Sequence, residues 1–598
     1  MEAAERIKIL HNTETKNETD TLSVSELACN GVGEFMRRRK KRHYCSESSE
    51  SELESCCRLP PEIEEGKFEY KLELVAPSST RFEHLVTQMK WRLQEGAGEA
   101  IYEIGVEDCG IFIGLGPKAL ESSMETLRRM ADRLAASLTV LRETTLEEDR
   151  KVVEVLVRKV PDDQQFLDLR IAVLGNADCG KSTLVGVLAH GELDNGRGRA
   201  RLNLFRHRHE IQSGHTSSIS QEIIGFDSNG ELQNYSDNTT AEDVCEKSTK
   251  IIHFIDVPGH QKYLKTTIFG LMGHSPHFAM LVMSANTGIV GTTREQLGFA
   301  LCLQVPIFVV VTKGDCCRPA ILQKNLSNLE SLLKSPGSNK VPCRIGSESD
   351  AVNAATKLQS DRIVPIFQVS SKTGSGLELL QKFLNMLPPT ASSRELDRLS
   401  AQEDLLFQID DVFSDVPDVG LVTSGIVKRG CIKKDERLLA GPLEDGTFTE
   451  VTVTSMHRNR FPCKLVKAGQ AAGIALAPLD AVGYQLIMRK GMVLTSMHFK
   501  PEVCRQFQAE INLLFHENSI KKGFQCTVHV GNVCQTAEIL SMSTGSLKTN
   551  GRANVSFKFL KQAECVFSKS KLLFRQGTTR GIGTVTSVTP LDTNVCLR

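Results

Sequence analysis

Residues 175–182 have the types and the spacing that bind a chain of phosphates. They match the pattern GxxxxGK[ST], between an apolar run typical of a strand and a stretch typical of a helix. In such a loop the glycines let backbone N–H groups surround the phosphates, Lys181 reaches the outer phosphates, and the Ser182 hydroxyl ligates Mg²⁺. A glycine-rich turn without a ligand is the alternative, which the flanking strand and helix disfavour. The predicted phosphate-binding residues are Gly175, Asn176, Ala177, Asp178, Cys179, Gly180, Lys181, Ser182 and Thr183.

A second loop of matching chemistry, residues 256–260, follows a later apolar run. A carboxylate at the carboxyl end of a strand, such as Asp256, can hold a water molecule bound to Mg²⁺. Gly259 lets its own N–H group approach a terminal phosphate, and Val257 and Pro258 complete the loop. The two loops together predict a bound nucleotide with Mg²⁺.

Two more loops indicate which base the nucleotide carries. Residues 312–315 resemble the [NT]KxD pattern, in which Asp315 accepts two hydrogen bonds from the N1–H and 2-amino groups of guanine. Adenine lacks that pair of donors. In residues 370–372, after the last apolar run, a backbone N–H group can meet the guanine O6 atom. Each loop alone is common, but four in this order at the ends of apolar runs predict GTP or GDP. The base-binding residues are Thr312, Lys313, Asp315, Ser370, Ser371 and Lys372.

The elements that must position these loops form a layered domain over residues 167–392. Short runs rich in Val, Ile and Phe alternate there with helical stretches, which is typical of a parallel sheet covered on both faces. From residue 403 the helical patterns stop, and short apolar runs predict two β-barrels, 403–498 and 501–598. The predicted fold class is an α/β P-loop GTPase domain followed by two β-barrel domains, preceded by a small α+β domain (67–162) and a disordered tail (1–66).

No pattern of catalytic side chains precedes the phosphate loop. Within 67–162, periodicity predicts strands at 68–75, 100–106, 110–115 and 152–160 and helices at 81–94 and 118–137, so we expect a binding or docking module. In the tail, residues 37–42 are all Arg or Lys. Such a block suits a nuclear localisation signal or an RNA contact, with a solvated tail of no specific role as the alternative.

Composition narrows the class of protein. The chain has 598 residues, too many for one hydrophobic core, with 40% hydrophobic and 24% charged residues, as in ordinary globular proteins. The 18 cysteines form no CxxC pair, and the apolar runs are too short to span a bilayer, so we expect a reduced, cytoplasmic protein with no membrane partner.

The formal net charge is zero, but residues 501–598 hold 12 Lys or Arg against 6 Asp or Glu, a net of +6. That excess suits RNA contact, although barrels that bind nothing can carry it too.

The DCGKS sequence of the phosphate loop, the DVPGH loop and the two trailing barrels resemble the translational GTPases of the elongation factor Tu and eukaryotic elongation factor one-alpha class. Within that class, the ordered N-terminal extension, the segment 207–218 and the TKGD loop are most similar to the animal GTP-binding protein 1/2 family. The resemblance implies a GTP-hydrolysing factor that acts on the ribosome, in elongation or in the surveillance and rescue of stalled ribosomes. It implies tRNA or a tRNA-mimicking rescue factor as a further partner, and we expect a monomer.

The same resemblance implies roles for three residues that the motifs alone do not assign. Thr216 would complete the Mg²⁺ shell with Ser182 and, through water, Asp256. His260 would be the catalytic residue that positions the attacking water. Asp178 falls where related factors place an acidic residue that can hold a monovalent cation. The alternative for His260 is an exposed loop histidine without a catalytic role.

Departures from the family pattern bear on turnover. Bulky aliphatic residues flank the histidine in bacterial elongation factor Tu, whereas Ala177 and His215 occupy those positions here, so we expect a different rate of hydrolysis or exchange. A low-turnover GTP-bound adaptor that recruits rescue or RNA-decay factors is therefore the alternative function, and a metabolic GTPase is a third. Thr312 stands where asparagine is usual, so we expect the amide that braces the phosphate loop to be lost, with guanine specificity still resting on Asp315.

Overall fold

The structure, a computed structural model, describes residues 59–63, 66–96, 98–146, 149–159, 166–335, 337–358, 362–389, 393–417, 419–478 and 487–591. Most of the predicted disordered tail, and the basic block 37–42, lie outside these residues. The end of the predicted tail is hydrogen-bonded to the N-terminal domain. The Leu59 N–H donates to the Gly110 carbonyl and the Glu62 N–H donates to the Asp108 carbonyl, each at 2.8 Å. The N-terminal domain therefore extends upstream of the predicted boundary at residue 67.

The N-terminal domain is a four-stranded sheet covered on one face by two helices. The strand order of the sheet is β1-β2-β4-β3, in which β1 is parallel to β2 and the other neighbouring strands are antiparallel. Leu85 and Met89 of the first helix and Leu127 and Met130 of the second pack on the sheet. The elements are β1 (Phe68–Lys71), α1 (Ser79–Glu95), β2 (Glu99–Ile104), α2 (Pro117–Arg133), β3 (Ala136–Thr145) and β4 (Lys151–Lys159).

Three sequence predictions for this domain need correction. Helix α2 ends at Arg133 rather than at residue 137, because Ala135 adopts a left-handed φ of 49°. The chain then forms β3, a half-exposed edge strand that was not predicted from the sequence, because the predicted helix extended over its first residues. The expected strand at 110–115 is reduced to two single-residue bridges, Val106 with Phe112 and Leu115 with Lys151.

The α/β domain is built on an eight-stranded sheet in the order β11-β12-β10-β9-β5-β8-β6-β7. The apolar runs predicted as strands are confirmed as its parallel centre, which comprises β12, β10, β9, β5 and β8, and the sheet is covered on both faces. Side chains of β5 alternate between the two cores, with Ile171 and Val173 in one and Ala172 and Leu174 in the other. The strands are β5 (Leu167–Leu174), β6 (Ser220–Phe226), β7 (Leu232–Gln233), β8 (Lys250–Asp256), β9 (Phe278–Ser284), β10 (Ile307–Thr312), β11 (Val341–Arg344) and β12 (Ile363–Gln368).

Helices connect these strands and place the candidate loops at one edge of the sheet. They are α3 (Lys181–His190), α4 (Arg208–Ser213), α5 (Ala241–Lys247), α6 (Leu264–Met272), α7 (Gly291–Cys302), α8 (Pro319–Lys334), α9 (Glu348–Lys357), α10 (Leu377–Met386) and α11 (Ser393–Ser400). Short 3₁₀ turns occur at Ala200–Leu204, Gln261–Tyr263 and Gly314–Cys316. Among the described residues no helix has the length and apolar character needed to cross a membrane.

Two closed barrels follow, as predicted. The first closes because β16 pairs with both β17 and β21, and the second closes because β27 pairs with both β22 and β25. The first barrel domain comprises β13 (Leu406–Val416), β14 (Gly420–Arg429), β15 (Cys431–Lys433), β16 (Arg437–Gly441), β17 (Thr449–Arg458), β18 (Phe461–Pro462), β19 (Leu465–Lys467), β20 (Ala471–Pro478) and β21 (Val493–Ser496), of which β15 and β19 form a separate pair. The second comprises β22 (Val503–Phe515), β23 (Ser519–Ile520), β24 (Gln525–Val530), β25 (Val533–Met542), β26 (Leu547–Lys548), β27 (Arg552–Phe559), β28 (Glu564–Cys565), β29 (Lys571–Gln576) and β30 (Thr579–Pro590), of which β23 and β26 form a separate pair.

A buried charge cluster joins the N-terminal domain to the α/β domain. Arg158 donates to the Glu99 Oε1 atom at 2.9 Å and, across the interface, to the Asn385 Oδ1 atom at 2.9 Å. The Lys250 ammonium of the α/β domain lies 3.6 Å from the same Glu99 oxygen. Burial would raise the pKa of Glu99, but the charges of Lys250 and Arg158 outweigh it and lower the pKa to about 2. Glu99 is therefore the shared counter-charge of both domains.

We expect the Glu99→Gln substitution to destabilise the N-terminal domain by about 3–5 kcal/mol, because it leaves two buried cations without their carboxylate. The only tryptophan of the chain, Trp91, lies on α1 and reports the unfolding of this domain in urea by fluorescence. The pKa of Glu99 in the folded protein is about 2, below its ordinary value of 4.5. The difference in the free energy of unfolding between variant and wild type should therefore be largest above pH 4.5 and decrease as the pH falls toward 2.

The matched control is Glu143→Gln on β3, where the glutamate pairs with Lys151 at 3.2 Å in an exposed position. Exposed pairs contribute about 0–1 kcal/mol, so this variant should unfold near the wild-type midpoint. Equal midpoints for the two variants would show that the buried cluster does not hold the domains together.

Candidate nucleotide-binding site

The phosphate loop joins β5 to α3 and contains two backbone conformations that favour glycine. Gly175 has a φ of 138°, and a Cβ atom there would lie 2.2 Å from the Val282 carbonyl oxygen. Gly180, with a φ of 91°, precedes the first residue of the helix. The Lys181 side chain is buried and donates to the Asn176 carbonyl at 2.9 Å, so its ammonium lies inside the loop. The loop has the shape and charge of a phosphate cradle.

Three oxygen-bearing side chains converge at the start of α3. The Ser182 hydroxyl donates to the Asp256 Oδ2 atom at 2.5 Å and lies 2.8 Å from the Thr216 hydroxyl. Because Ser182 has a single hydroxyl hydrogen, Thr216 is the donor of the second bond. Burial raises the pKa of Asp256 to about 6, although Lys181 and Ser182 oppose the shift, and its Oδ1 atom has no hydrogen-bond partner among the described residues. Hard oxygen ligands of this kind fit Mg²⁺, whose charge would favour the carboxylate form.

The loop after β8 lies directly against the phosphate loop. A Cβ atom at Gly259 would lie 2.3 Å from the Lys181 ammonium nitrogen, so a larger residue there would push the two loops apart. The Pro258 carbonyl accepts a hydrogen bond from the Thr267 hydroxyl of α6 at 2.7 Å, and Val257 is fully buried. These contacts anchor the loop on one side and leave its tip, His260, exposed.

His260 lies beside two other rings at the rim of the site. Its Nδ1 atom accepts a hydrogen bond from the Lys262 N–H at 3.1 Å, so the neutral ring carries its hydrogen on Nε2. The ring centres of His215 and Tyr263 each lie 6.2 Å away. His215 in turn has its Nδ1 atom 3.7 Å from an Asp178 carboxylate oxygen. Of the two positions where the family pattern has bulky aliphatic residues, one is Ala177 and the other is His215, whose ring lies against the Asp178 carboxylate.

Thr312 corrects one expectation from the sequence. Its hydroxyl donates to the Cys179 carbonyl of the phosphate loop at 2.5 Å, so the threonine retains the brace that was expected to be lost with asparagine. The following residue, Lys313, has a left-handed φ of 60° and donates to the Asp178 carbonyl at 2.7 Å. The last residue of β10 and the residue that follows it therefore tie the predicted base-binding loop to the phosphate loop.

The two predicted base-binding loops meet at Asp315. Hydrogen bonds from the Cys316 thiol and the Ser370 hydroxyl lower the pKa of its carboxyl, so it is ionised at neutral pH. Ser371 contributes its carbonyl, which accepts from the Asp194 N–H at 2.9 Å. The Lys372 side chain packs against Gly196, with its Cδ atom 3.4 Å from the position that a Cβ atom of residue 196 would occupy. The loop after β12 thus contacts both Asp315 and the segment that follows α3.

Glu210, on α4, organises the segment that carries Thr216, a role that the sequence did not predict. It is fully buried, and its Oε1 atom accepts from the N–H groups of Ser217 and Ser218 at 2.7 and 2.9 Å and from both of their hydroxyls. Its Oε2 atom accepts from the N–H groups of Arg206 and His207. Burial opposes ionisation, but these donors lower the pKa of Glu210 to about 2. The carboxylate thereby fixes the chain immediately after Thr216.

We expect Glu210→Gln to slow GTP hydrolysis by roughly 10- to 100-fold, since an amide places a donor where a carboxylate accepted and hydrogen bonds to charged groups contribute about 1.5–3 kcal/mol. Single-turnover hydrolysis measures the loss, and limited trypsin cleavage at Arg206 and Arg208 should become faster. The matched control is Glu192→Gln, whose side chain is 76% exposed. If both variants hydrolyse GTP at the same rate, Glu210 does not position Thr216.

Helix α7 connects the phosphate loop to the second barrel. Its Gln296 side-chain oxygen accepts from the Gly175 N–H at 2.6 Å, and its Thr292 hydroxyl donates to the Asn176 Oδ1 atom at 2.7 Å. The neighbouring Glu295 pairs with Arg580 of β30 at 3.2 Å. No sequence motif signalled these contacts, and none signalled Glu210.

Comparisons with known proteins agree with this geometry. A family model described as the elongation factor Tu GTP binding domain matches residues 168–389. GTP-binding protein 2 of Mus musculus is 55% identical over 536 residues, which cover 89% of this chain and 88% of the relative. GTP-binding protein 1 of Xenopus laevis is 47% identical over 529 residues, which cover 88% of this chain and 79% of the relative.

Among solved structures, the S. cerevisiae Ski7 GTPase-like domain bound to GTP has a TM-score of 0.52 at 12% identity, covering 71% of this chain and 100% of that chain. At this identity the likeness shows the fold alone. The relatives at 55% and 47% identity show the family. The chain belongs to the GTP-binding protein 1/2 family of translational GTPases, which bind and hydrolyse GTP.

Proposed function

We propose that this GTPase acts on ribosomes, in translation elongation or in the surveillance and rescue of stalled ribosomes. The observation that carries the proposal is the exposed His260 at the rim of the nucleotide site. It lies on a loop held against Lys181, beside the segment with Thr216, in a domain followed by two barrels. A water-positioning residue left open at the surface suits activation by a large external partner.

In this proposal the nucleotide is held by the four loops predicted from the sequence. Lys181 and the loop around it bind the phosphates, Asp315 and Ser370 meet guanine, and Ser182 with Thr216 ligates Mg²⁺ while Asp256 acts through water. Mg²⁺ would shield the charge of the phosphates during hydrolysis. This assignment is supported by the Thr216 hydroxyl and the Asp256 carboxylate, which lie 2.8 and 2.5 Å from the Ser182 hydroxyl.

The second barrel is proposed to contact tRNA or ribosomal RNA. Two of its basic residues are directed at the α/β domain instead, since Arg580 and Arg575 lie 3.2 and 3.8 Å from Glu295. Further positive charge of this barrel lies on exposed lysine side chains, namely Lys521, Lys522, Lys548, Lys558, Lys561, Lys569 and Lys571. Lysines spread over a surface suit sequence-independent contact with phosphates.

The second candidate function is a low-turnover GTP-bound adaptor that recruits rescue or RNA-decay factors. The pairing of His215 with Asp178 beside His260 favours it, because a polar gate differs from the aliphatic one of the elongation factors. In either function we propose a cytoplasmic monomer, with visits to the nucleus through the basic block 37–42.

Sedimentation with 80S ribosomes tests the proposed function. The protein loaded with a non-hydrolysable GTP analogue should pellet with ribosomes, and the GDP-loaded protein should pellet several-fold less. The Lys181→Ala variant, which lacks the phosphate-binding ammonium, should behave like the GDP-loaded protein. An equal pelleted fraction in all three samples, or none in any, would contradict action on ribosomes.

A further inference from the structure

An arginine that the four motifs do not include lines the phosphate end of the nucleotide site. Arg201 lies in the 3₁₀ turn Ala200–Leu204, and it borders the same cavity as Lys181, Ser182, Thr216 and His260. The turn lies between α3 and α4, and Thr216 lies three residues after the end of α4. A second cation therefore faces the space where Lys181 is directed.

Glycines make room for the Arg201 guanidinium on two sides. A Cβ atom at Gly198 would lie 2.6 Å from its Nε atom, and one at Gly214 would lie 2.8 Å from an Nη atom. The turn itself is fixed, because the Asp194 carboxylate accepts from the N–H groups of Gly198 and Ala200 at 3.0 and 3.1 Å. The guanidinium thus packs against the backbone at Gly198 and at Gly214, and Gly214 lies two residues before Thr216.

Among the residues that the structure describes, Arg201 has no carboxylate partner. Throughout the described ranges, no carboxylate lies within ion-pair distance of its guanidinium and no hydrogen bond from it is recorded, although the side chain is half-buried. Its neighbour Arg199, by contrast, is 72% exposed and lies 4.0 Å from Glu192. A half-buried guanidinium that borders a phosphate-binding cavity is suited to an anionic ligand, and its planar donors match phosphate oxygens.

We propose that Arg201 contacts the γ-phosphate of bound GTP and stabilises the negative charge that develops on it during hydrolysis. The arginine is supplied by the same chain, so it contributes before any partner binds. This role belongs to the transfer of the phosphoryl group to water: the bond between the γ-phosphorus and the bridging oxygen breaks, and the oxygen of water bonds to phosphorus. The reaction releases GDP, phosphate and a proton, with no further reactant.

The test is single-turnover GTP hydrolysis without ribosomes, so its outcome is independent of the proposed ribosomal function. We expect Arg201→Ala and Arg201→Gln to lower the rate by roughly 100-fold, the loss typical when a charge-stabilising donor is removed. Arg201→Lys should retain part of the activity. The control Arg199→Ala, two residues away, should hydrolyse GTP at the wild-type rate.

Fluorescent nucleotides and aluminium fluoride separate a role in catalysis from packing. Both neutral variants should bind GDP within about twofold of wild type, yet fail to capture aluminium fluoride on GDP, a mimic of the transferring phosphoryl group. GTP hydrolysis by Arg201→Gln at the wild-type rate would overturn the proposal, because glutamine fills much of the arginine's space but carries no charge. So would rates equal to the Arg199→Ala control, or equal losses of GDP and GTP affinity.

Discussion

The Asp315→Asn variant is expected to bind GTP about 10²- to 10⁴-fold more weakly and to gain affinity for xanthosine triphosphate. Two hydrogen bonds to an ionised carboxylate, each contributing about 1.5–3 kcal/mol, are lost with guanine. Xanthine carries a carbonyl where guanine carries the 2-amino group, so the asparagine amide can donate to it. Measuring the affinities for both GTP and xanthosine triphosphate with fluorescent nucleotides distinguishes a change in base specificity from a general loss of nucleotide binding.

The structure explains why Asp315 is prepared for this role. Its pKa is lowered by hydrogen bonds from Cys316 and Ser370, so the carboxylate is charged before guanine arrives. The loop is fixed from below by Thr312 and Lys313, which bond to carbonyls of the phosphate loop. Substituting the aspartate therefore changes the donor and acceptor pattern while the backbone that holds it remains braced.

The control for this experiment is Asp243→Asn. Asp243 also has a lowered pKa, because it caps α5 through hydrogen bonds from Thr240 and Thr239, but it lies in the first turn of α5, outside the four predicted nucleotide loops. We expect that variant to bind GTP as wild type and not to bind the xanthine nucleotide. Unchanged GTP affinity in Asp315→Asn would show that the loop after β10 does not contact the base.

The layout of the nucleotide site was predictable because it depends on short-range rules. Each loop follows a continuous apolar strand, and the carboxyl ends of parallel strands meet at one edge of the sheet. That rule alone brings Asp256, Thr312 and Ser370 to the same side as Lys181. The brace from Thr312 to Cys179 was not predictable, since a hydroxyl reaches a carbonyl only when the two loops approach within one hydrogen bond.

Other parts of the fold could not be predicted because their stability is not local. Strand β3 has an exposed, mixed sequence and is held by its pairing with β4. The antiparallel strand β6 follows a polar loop and is defined by its register with β8, in which Ser220 faces Asp256. Arg201 and Glu210 resemble ordinary charged surface residues in the sequence, and only the folded segment shows where they lie.

His260→Ala is the substitution that bears most directly on catalysis. If His260 positions the attacking water, the variant should lose about 10²- to 10⁴-fold in turnover, the range typical of a positioned acid–base residue. Nucleotide binding should be retained, because the described contacts of His260 are with Lys262, His215 and Tyr263 rather than with the phosphate loop. The control is His498→Ala, an exposed histidine between the barrels.

The most direct measurement is GTP turnover with and without 80S ribosomes, for wild type, His260→Ala and His498→Ala in parallel. A ribosome-activated GTPase predicts that ribosomes accelerate turnover by wild type and the His498 variant, while the His260 variant binds ribosomes without acceleration. Turnover of the wild type that ribosomes leave unchanged, or an equal acceleration of the His260 variant, would contradict it.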